Sequence, residues 1–235
     1  VEVILGLPLE TYETFTQGLN TVLSYRLEDR FFVYLCQMLE NTEMDSPESR
    51  EKYQLDTRRC RHTVSNRKFE WVDEDTEYEE FVVGTSTMPV EDWVRSYVYG
   101  YFLTVLYNHR AAVFPFIYLK EEFGMDPLDI LEFIISHLRQ KPDSFPVLSR
   151  SIGHIDKQAQ LMIDGVSSMC DLPEADGLVV LPHVGALVLL ARDKENFYKD
   201  LTIKKLLGHL YVSNFETGPT VYYNRCLHNS FYHSK

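Results

Sequence analysis

The first 35 residues constrain the fold most, because they alternate between strand and helix patterns. Val1 to Leu5 is a short β-branched apolar run, and Gly6-Leu7-Pro8 follows it as a strand-ending turn. From Thr11 to about Leu27 apolar residues recur at helical spacing, with Thr11 as the predicted N-cap. Arg30 to Leu35 is a second run of strand formers. We therefore predict a β-α-β unit whose two strands are parallel.

From about Pro89 onward, helical spacing dominates the chain. The predicted helices run over residues 89–109, 113–123, 127–139, 152–166, 182–192 and 195–210. Between the two regions we expect a short helix over 47–53, a long irregular segment over 55–78 and a strand over 81–87. The tail from Gly218 is weakly patterned, and we expect part of it to be disordered.

These patterns predict an α/β fragment followed by a mostly α-helical domain, predominantly α overall. The predicted divisions are residues 1–55 for the βα units, 56–88 for an irregular connector with a possible strand, and 89–235 for the helical domain. Because the chain begins abruptly inside an apparent buried strand, we expect it to be a piece of a larger protein.

Charge and apolar patterning argue against several classes of protein. The chain carries 35 acidic and 23 basic residues, a formal net charge of −12, which is the wrong sign for binding a nucleic-acid backbone. The longest apolar stretch, 177–191, is interrupted by Pro182 and His183, so no membrane span is expected. The four cysteines lack any CxxC spacing and are interpreted as reduced thiols of a cytoplasmic protein.

Two segments carry a resemblance to a known family. Val3-Ile4-Leu5-Gly6-Leu7-Pro8-Leu9-Glu10-Thr11 is similar to the "I-x-G-L-P-x-E-T" segment of radical S-adenosylmethionine (radical SAM) enzymes, especially those with a cobalamin-binding domain. Leu39-Glu40-Asn41-Thr42-Glu43, followed by the stretch ending at Tyr53, resembles their "L-P-N-T-E-x…Y-G" segment. The sequence departs from the pattern at Leu9, where the family commonly has Gly, and at Glu40, where it commonly has Pro.

The resemblance implies a partial (β/α) barrel, or partial TIM barrel, with an iron–sulfur [4Fe-4S] cluster, S-adenosylmethionine and in some members cobalamin. The family binds its cluster through a CxxxCxxC loop, which this chain lacks. The chain would then begin near the fifth of six barrel strands, hold no cofactor alone, be inert by itself and depend on its own missing N-terminal region. An exposed sheet edge would favour dimerisation.

The resemblance also implies which residues face the cofactor and the substrate. Ile4 and Gly6 would lie against the adenine of S-adenosylmethionine, Pro8 would shape the turn, and Glu10 would stand at the start of the next helix. The residues implied on the substrate side are Gln37, Glu40, Asn41 and Thr42.

Aromatic residues of the helical region have two interpretations. Tyr97, Tyr101 and His109, with Asn108, could line a pocket for an apolar or amphiphilic small-molecule substrate. The alternative is that these side chains belong to the hydrophobic core.

Other chemistry has little support in the sequence. Cys60-x-His62 and Cys226-x-His228 lack the paired spacing of a zinc site, and there is no G-x-S-x-G, G-x-G-x-x-G or Walker loop. We assign no catalytic or metal-binding residue, and the acidic residues Glu10, Glu40 and Glu43 are more typical of solvated faces than of acid–base groups.

The sequence therefore predicts the C-terminal part of a cobalamin-type radical SAM protein, with methylation at an unactivated carbon, ring formation or rearrangement as open reactions. An RNA-modifying methylthiotransferase is disfavoured by the helical, acidic tail. The alternative is a non-enzymatic helical interaction module, and a hydrolase would require a Ser or Cys beside a His in a pocket.

Overall fold

The computed structural model describes residues 1–24, 31–62 and 77–200. In this part of the chain the fold is predominantly α-helical, as the sequence predicts. The helices are α1 (Tyr12–Ser24), α2 (Pro47–Tyr53), α3 (Val90–Leu103), α4 (Val113–Phe123), α5 (Pro127–Gln140), α6 (Pro146–Ile163), α7 (Pro182–Arg192) and α8 (Lys194–Asp200). Single helical turns lie at Glu43–Asp45, Pro142–Ser144 and Pro173–Ala175.

The strands form three small sheets. They are β1 (Glu2–Leu5), β2 (Phe32–Leu35), β3 (Gln37–Met38), β4 (Asp56–Arg61), β5 (Tyr78–Gly84), β6 (Cys170–Leu172) and β7 (Leu178–Val180). β1 and β2 are parallel, β5 lies between β3 and β4 and is antiparallel to both, and β6 and β7 form a hairpin. The predicted parallel β-α-β unit is confirmed, whereas the described strands do not establish a partial barrel.

The two larger sheets are joined at one residue. The backbone N–H of Cys36 donates to the carbonyl of Leu5 at 2.8 Å, and the Cys36 carbonyl accepts from the N–H of Val82 at 2.9 Å. Cys36 therefore connects the end of β1 to the middle of β5, and it places the loops after β1 and β3 at neighbouring sheet ends.

The hydrophobic core is continuous from β1 to α8, and α3 is its central helix. Trp93, Tyr97, Val98, Tyr99 and Phe102 of α3 are all buried. The helix packs on α1 and β1 on one side and on α5, α6 and α7 on the other. One face of the parallel sheet is therefore covered by helices of the same chain.

Several predicted element bounds agree closely with the structure. The short helix at 47–53 has the predicted bounds, and so do the helices at 113–123 and 182–192. Thr11 lies before α1 as the predicted cap: its hydroxyl accepts the N–H of Thr14 at 3.2 Å, and Thr14 Oγ1 accepts the N–H of Thr11 at 2.8 Å. This reciprocal capping fixes where α1 begins.

The prediction of an irregular segment over residues 55–78 is wrong for its first part. Residues 56–61 form β4, in which only Cys60 is buried, so no apolar alternation marks the strand. Its stability comes instead from pairing with β5 and from the Arg58 Nε donation to the Ile163 carbonyl at 2.8 Å. Residues 63–76 lie outside the described part.

Three other predicted elements differ from the structure. The strand predicted at 81–87 runs from 78 to 84, and the helix predicted at 89–109 is α-helical to Leu103 and continues as a π-helical turn over Thr104–Asn108. The helix predicted from residue 152 begins at Pro146, because the Asp200 carboxylate accepts the N–H groups of Val147 and Leu148 and caps it.

The β6–β7 hairpin was not expected in a helical region. The helix predicted to reach residue 210 is described only to Asp200, and the tail predicted to be partly disordered lies outside the described residues.

No described helix is both long enough and apolar enough to cross a membrane.

Candidate functional site

The turn after β1 is the centre of the candidate site. Gly6 has φ +100° and Leu9 has φ +69°, both in the left-handed region, and the N–H of Glu10 donates to the Leu7 carbonyl at 3.3 Å. Pro8 is half-buried between them. The turn therefore reverses the chain within four residues and starts α1 at the carboxyl end of a parallel strand, where ligands of α/β sheets collect.

Gly6 is required by the packing of the protein itself. A Cβ at this position would lie 3.0 Å from the Val82 carbonyl oxygen, 3.3 Å from Cys36 Cβ and 3.4 Å from Trp93 Nε1. The positive φ adds a second reason for glycine. The turn is thus pressed against β5 and α3, and this contact holds its backbone in place.

The outer face of the parallel sheet is exposed, and it is apolar except for Glu2, which lies opposite Phe32 in the register. Ile4 is 41% exposed, its neighbour across the register Tyr34 is 48% exposed, and Phe32 is 44% exposed. The Phe32 and Tyr34 ring centroids are 6.2 Å apart. Alternation along the strands therefore gives one face to the core and leaves an apolar face uncovered within the described part of the chain.

Three leucines that follow the carboxyl ends of strands are also exposed. Leu7 and Leu9 follow β1, and Leu39 follows β3. A contiguous apolar surface on a sheet normally binds a partner or a ligand.

Glu10 supplies a buried carboxyl group beside the turn. No hydrogen-bond donor of the described residues reaches its Oε2, which has almost no solvent contact. Burial raises the pKa of Glu10 to about 7. The nearby Cys36 thiol has its pKa raised to about 11, first by burial and then by the charge of Glu10.

Trp93 provides a second polar group near Gly6, with its Nε1 3.4 Å from the position of a Cβ at Gly6. Its Nε1–H is buried, and no acceptor in the described part of the chain lies within hydrogen-bond distance. The turn after β1 therefore has near it a buried carboxyl oxygen without a donor and a buried indole N–H without an acceptor among the described residues. Buried polar groups in this state are sites where a ligand or water is expected.

The predicted substrate-side residues lie on or just after β3. Gln37 Nε2 donates to Glu79 Oε1 at 3.2 Å, Thr42 Oγ1 donates to the Leu39 carbonyl at 2.7 Å, and Glu40 is exposed. Asn41 has φ +65°. The structure places Gln37 on β3 and the other three residues in the exposed turn that follows it, where the positive φ suits Asn41.

An ion-pair network connects α2 and the helical turn Glu43–Asp45, which follow those residues, to β5. Arg50 donates to both carboxylate oxygens of Glu80 at 2.9 and 3.0 Å and to Asp45 at 2.7 Å. Thr57 Oγ1 also donates to Glu80. Hydrogen bonds from Arg50 hold the pKa of Glu80 below its ordinary value, and those to Glu80 and Asp45 raise the pKa of Arg50.

The aromatic candidates of α3 lie in the core. Trp93 and Tyr97 ring centroids are 5.2 Å apart, and those of Tyr97 and Tyr101 are 4.5 Å apart. His183 of α7 then stacks on Tyr101 at 5.8 Å and on His109 at 5.2 Å. Burial, with a smaller effect from His109, lowers the pKa of His183 to about 4.

Tyr97, Tyr101 and His109 are therefore brought together, as members of a row of contacting rings between α3 and α7. Sequence reasoning missed two members, Trp93 and His183. The i, i+4, i+8 spacing of Trp93, Tyr97 and Tyr101 was a visible signal for one face of α3, whereas nothing in the sequence connects His183 to His109.

Comparisons with known proteins give two relatives. No family model matches the chain. It is 29% identical over 177 residues to the cobalamin-dependent radical SAM methyltransferase TokK of Streptomyces tokunonensis, which covers 73% of this chain. It is 25% identical over 185 residues, 79% of its length, to the 2-(S-pantetheinyl)-carbapenam-3-carboxylate methyltransferase of Streptantibioticus cattleyicolor. The matched region is about a quarter (26%) of each relative.

Proposed function

Because this chain is similar over most of its length to a cobalamin-dependent radical SAM methyltransferase and to a second methyltransferase, we propose that it is the C-terminal part of a cobalamin-dependent radical SAM methyltransferase. Residues 1–55 would be the last βα units of its partial barrel, 56–88 the connector and 89–235 the helical domain. The reaction we propose is methyl transfer to a small organic molecule in the cytoplasm. The relationship does not favour the non-enzymatic interaction module.

The observation that supports this proposal best is the uncovered apolar face of β1 and β2. Ile4, Phe32 and Tyr34 present flat apolar surface on the side of the sheet that helices do not cover. A purine ring has the shape and polarity to pack there, and the Glu10 carboxyl offers a hydrogen-bond partner at the end of the strand. These residues therefore fit S-adenosylmethionine.

The described residues do not fit an iron–sulfur cluster. Among them no group of three or more His, Cys, Asp or Glu could hold a metal ion. The cluster and cobalamin would be bound by other parts of the protein, and no role in holding them is assigned to this chain. When bound, the three groups together supply the radical and methyl-transfer chemistry.

In this proposal the chain contributes binding and exclusion of water. Ile4 packs against the adenine, and Gly6 and Pro8 set the path of the turn. Glu10 interacts with a polar group of the ligand through Oε2. Gln37 on β3 and the following turn, with Glu40, Asn41 and Thr42, face the substrate, and the helical region shields the reaction from solvent.

The protein partner we propose is the remainder of the same polypeptide. Within the described residues, β1 pairs with a strand on one side only, and its outer face is apolar. Strands of the N-terminal part would complete the sheet there. A dimer that pairs two β1 edges is the competing outcome, and the mass of the full-length protein in solution distinguishes the two.

The test is activity of the full-length protein after anaerobic reconstitution with iron, sulfide and cobalamin, with a chemical reductant such as dithionite added as the electron source. We expect it to convert S-adenosylmethionine into both S-adenosylhomocysteine and 5′-deoxyadenosine, while residues 1–235 alone produce neither. Absence of both products from a protein with full cluster absorbance would contradict the proposal.

Matched variants connect that activity to the outer face. Ile4→Asn places a polar group on the surface proposed to bind adenine and is expected to weaken S-adenosylmethionine binding at least about tenfold, the effect of losing roughly 1.4 kcal/mol of apolar contact. Val166→Asn changes a residue of similar exposure, 48%, outside this face and is the control. If both variants bind S-adenosylmethionine equally well, Ile4 is not part of its binding site.

A further inference from the structure

The loop between β5 and α3, residues Thr85–Met88, contacts both segments that carry the family resemblance. Thr87 Oγ1 donates to the carbonyl of Glu10 at 2.8 Å, across 77 positions of sequence. The backbone N–H of Ser86 donates to the carbonyl of Tyr53 at 2.9 Å. One short loop therefore connects the turn after β1 to the end of α2.

The loop has internal bonds that make it a firm support. The N–H of Thr85 donates to the Met88 carbonyl at 2.8 Å, and Thr85 Oγ1 accepts the N–H groups of Met88 at 3.1 Å and of Thr87 at 3.3 Å. The Met88 side chain is fully buried in the core. A group held by this loop is thus fixed relative to α3.

The hydroxyl groups of the loop form a directed chain. Thr87 gives its proton to the Glu10 carbonyl, so in the 3.3 Å contact between the two hydroxyl oxygens Thr85 is the donor and Thr87 the acceptor. When a hydroxyl group accepts one hydrogen bond and donates another, polarisation strengthens both bonds.

We propose that Thr87 is a positioning residue for binding of S-adenosylmethionine, acting through the backbone of Glu10. The proposal rests on the function proposed above. The turn includes Leu9 at φ +69°, a conformation that disfavours a side chain, so an outside contact is needed to keep the turn in one geometry. Thr87 supplies that contact, and it fixes the start of α1 and the Glu10 carboxyl with it.

The test compares Thr87→Val, which keeps the shape but lacks the hydroxyl, with Thr87→Ser, which keeps the hydroxyl. In the reconstituted full-length enzyme, Thr87→Val is expected to raise both the Kd and the KM for S-adenosylmethionine about 3- to 10-fold, the range for one lost hydrogen bond, with kcat changed less than about twofold. Thr87→Ser is expected to restore wild-type binding.

The matched control is Thr21→Val. Thr21 Oγ1 donates to the Gln17 carbonyl on the exposed side of α1, away from the turn. This variant is expected to leave the Kd and KM unchanged. A second pair, Thr87→Ala and Thr87→Ser, repeats the comparison if Thr87→Val does not fold.

Hydrogen exchange gives a readout that needs no activity. The Glu10 N–H is bonded within the turn, so its exchange is expected to accelerate in Thr87→Val and return to the wild-type rate in Thr87→Ser. Unchanged exchange and unchanged Kd in Thr87→Val would overturn the positioning role, as would equal weakening in both variants. Failure of the wild-type protein to bind S-adenosylmethionine would instead reject the proposed function, while the exchange result would still report on the loop contact.

Discussion

The imidazole of His154 on α6 occupies the space that a side chain at Gly185 on α7 would need. An ideal Cβ at Gly185 would collide with Nε2 of His154. The Cε1 and Cδ2 atoms of the same ring would also be too close to that Cβ. Beside this contact Ser151 Oγ donates to the Ala186 carbonyl at 3.2 Å. At this contact a glycine on one helix therefore faces an aromatic ring on the other.

Gly185→Ala is expected to destabilise the protein by about 1–3 kcal/mol, because the added methyl group overpacks a buried interface. Gly153→Ala is the control. Gly153 lies on α6, and nothing lies within 4 Å of its ideal Cβ. That substitution is expected to stabilise the helix by about 0.5–1 kcal/mol. Urea denaturation of both variants measures the difference, and equal effects would contradict the packing argument.

Leu9→Gly is expected to stabilise the turn after β1. Leu9 is 68% exposed and has φ +69°, so its side chain gains little by burial while its backbone is strained. Relief of that strain is expected to raise the free energy of unfolding by about 0.5–1 kcal/mol. Leu7→Gly, without a positive φ in the wild type, should lower it. If both glycines destabilise equally, the strain at Leu9 is not a cost to the fold.

The carboxyl group of Glu10 is expected to make stability depend on pH. Its folded pKa of about 7 lies above the ordinary value of 4.5, so the unfolded state releases the proton first. Stability contributed by the neutral form is full below about pH 4.5 and is lost as the pH rises through 7. Glu10→Gln removes this dependence and is expected to be about 1–2 kcal/mol more stable than wild type at pH 8, allowing for partial solvent screening.

Glu13→Gln provides the opposite control on the same helix. Hydrogen bonds from its own backbone N–H and from Thr11 lower the pKa of Glu13, so its ionised form favours the folded state. The stability it contributes is present above the ordinary pKa and lost as the pH falls through the lowered one. At pH 8, Glu10→Gln should raise the free energy of unfolding and Glu13→Gln should lower it. The Glu10→Gln difference should shrink as the pH falls to 5, whereas the Glu13→Gln difference should persist at pH 5 and shrink only below pH 4.5. Loss of both differences over the same pH range would contradict the assignment of Glu10.

The Arg50–Glu80 pair is expected to show strong energetic coupling. The two side chains share two parallel hydrogen bonds and are each only about one-third exposed (32% and 27%). A double-mutant cycle with Arg50→Met and Glu80→Gln should give about 1–2 kcal/mol. The exposed Arg95–Asp92 pair on α3 should give less than about 0.5 kcal/mol. If the coupling free energies of the two pairs are comparable, the Arg50–Glu80 pair is no stronger than an exposed surface ion pair.

Helix bounds were predictable where the sequence carries its own stop and start signals. Gly124 ends α4 in the left-handed conformation, and Pro127 begins α5 after the Asp126 cap, whose carboxylate accepts the N–H of Leu128 at 2.8 Å. Local chemistry of this kind is visible in a single sequence. The start of α6 was not, because its cap is Asp200, more than 50 positions away.

The candidate site was predictable in its backbone and not in its polar groups. The strand, the turn and the start of α1 follow from residues 1–14, and the positive φ of Leu9 falls where the family resemblance has glycine. The same holds for Gln54, with φ +49°, which follows Tyr53 in place of a glycine. The burial of Glu10 Oε2 and the bond from Thr87 depend on β5 and α3, and only the folded chain brings these together.

The position of Trp93 makes the turn after β1 optically observable. The chain has two tryptophans, Trp71 and Trp93. A Trp71→Phe variant would leave within this chain a single indole, whose N–H lies against Gly6 and has no acceptor among the described residues. Indole fluorescence moves to longer wavelength when the N–H gains a polar neighbour. Binding of a ligand at this turn would therefore be detected as a red shift of the Trp93 emission, before any reaction takes place.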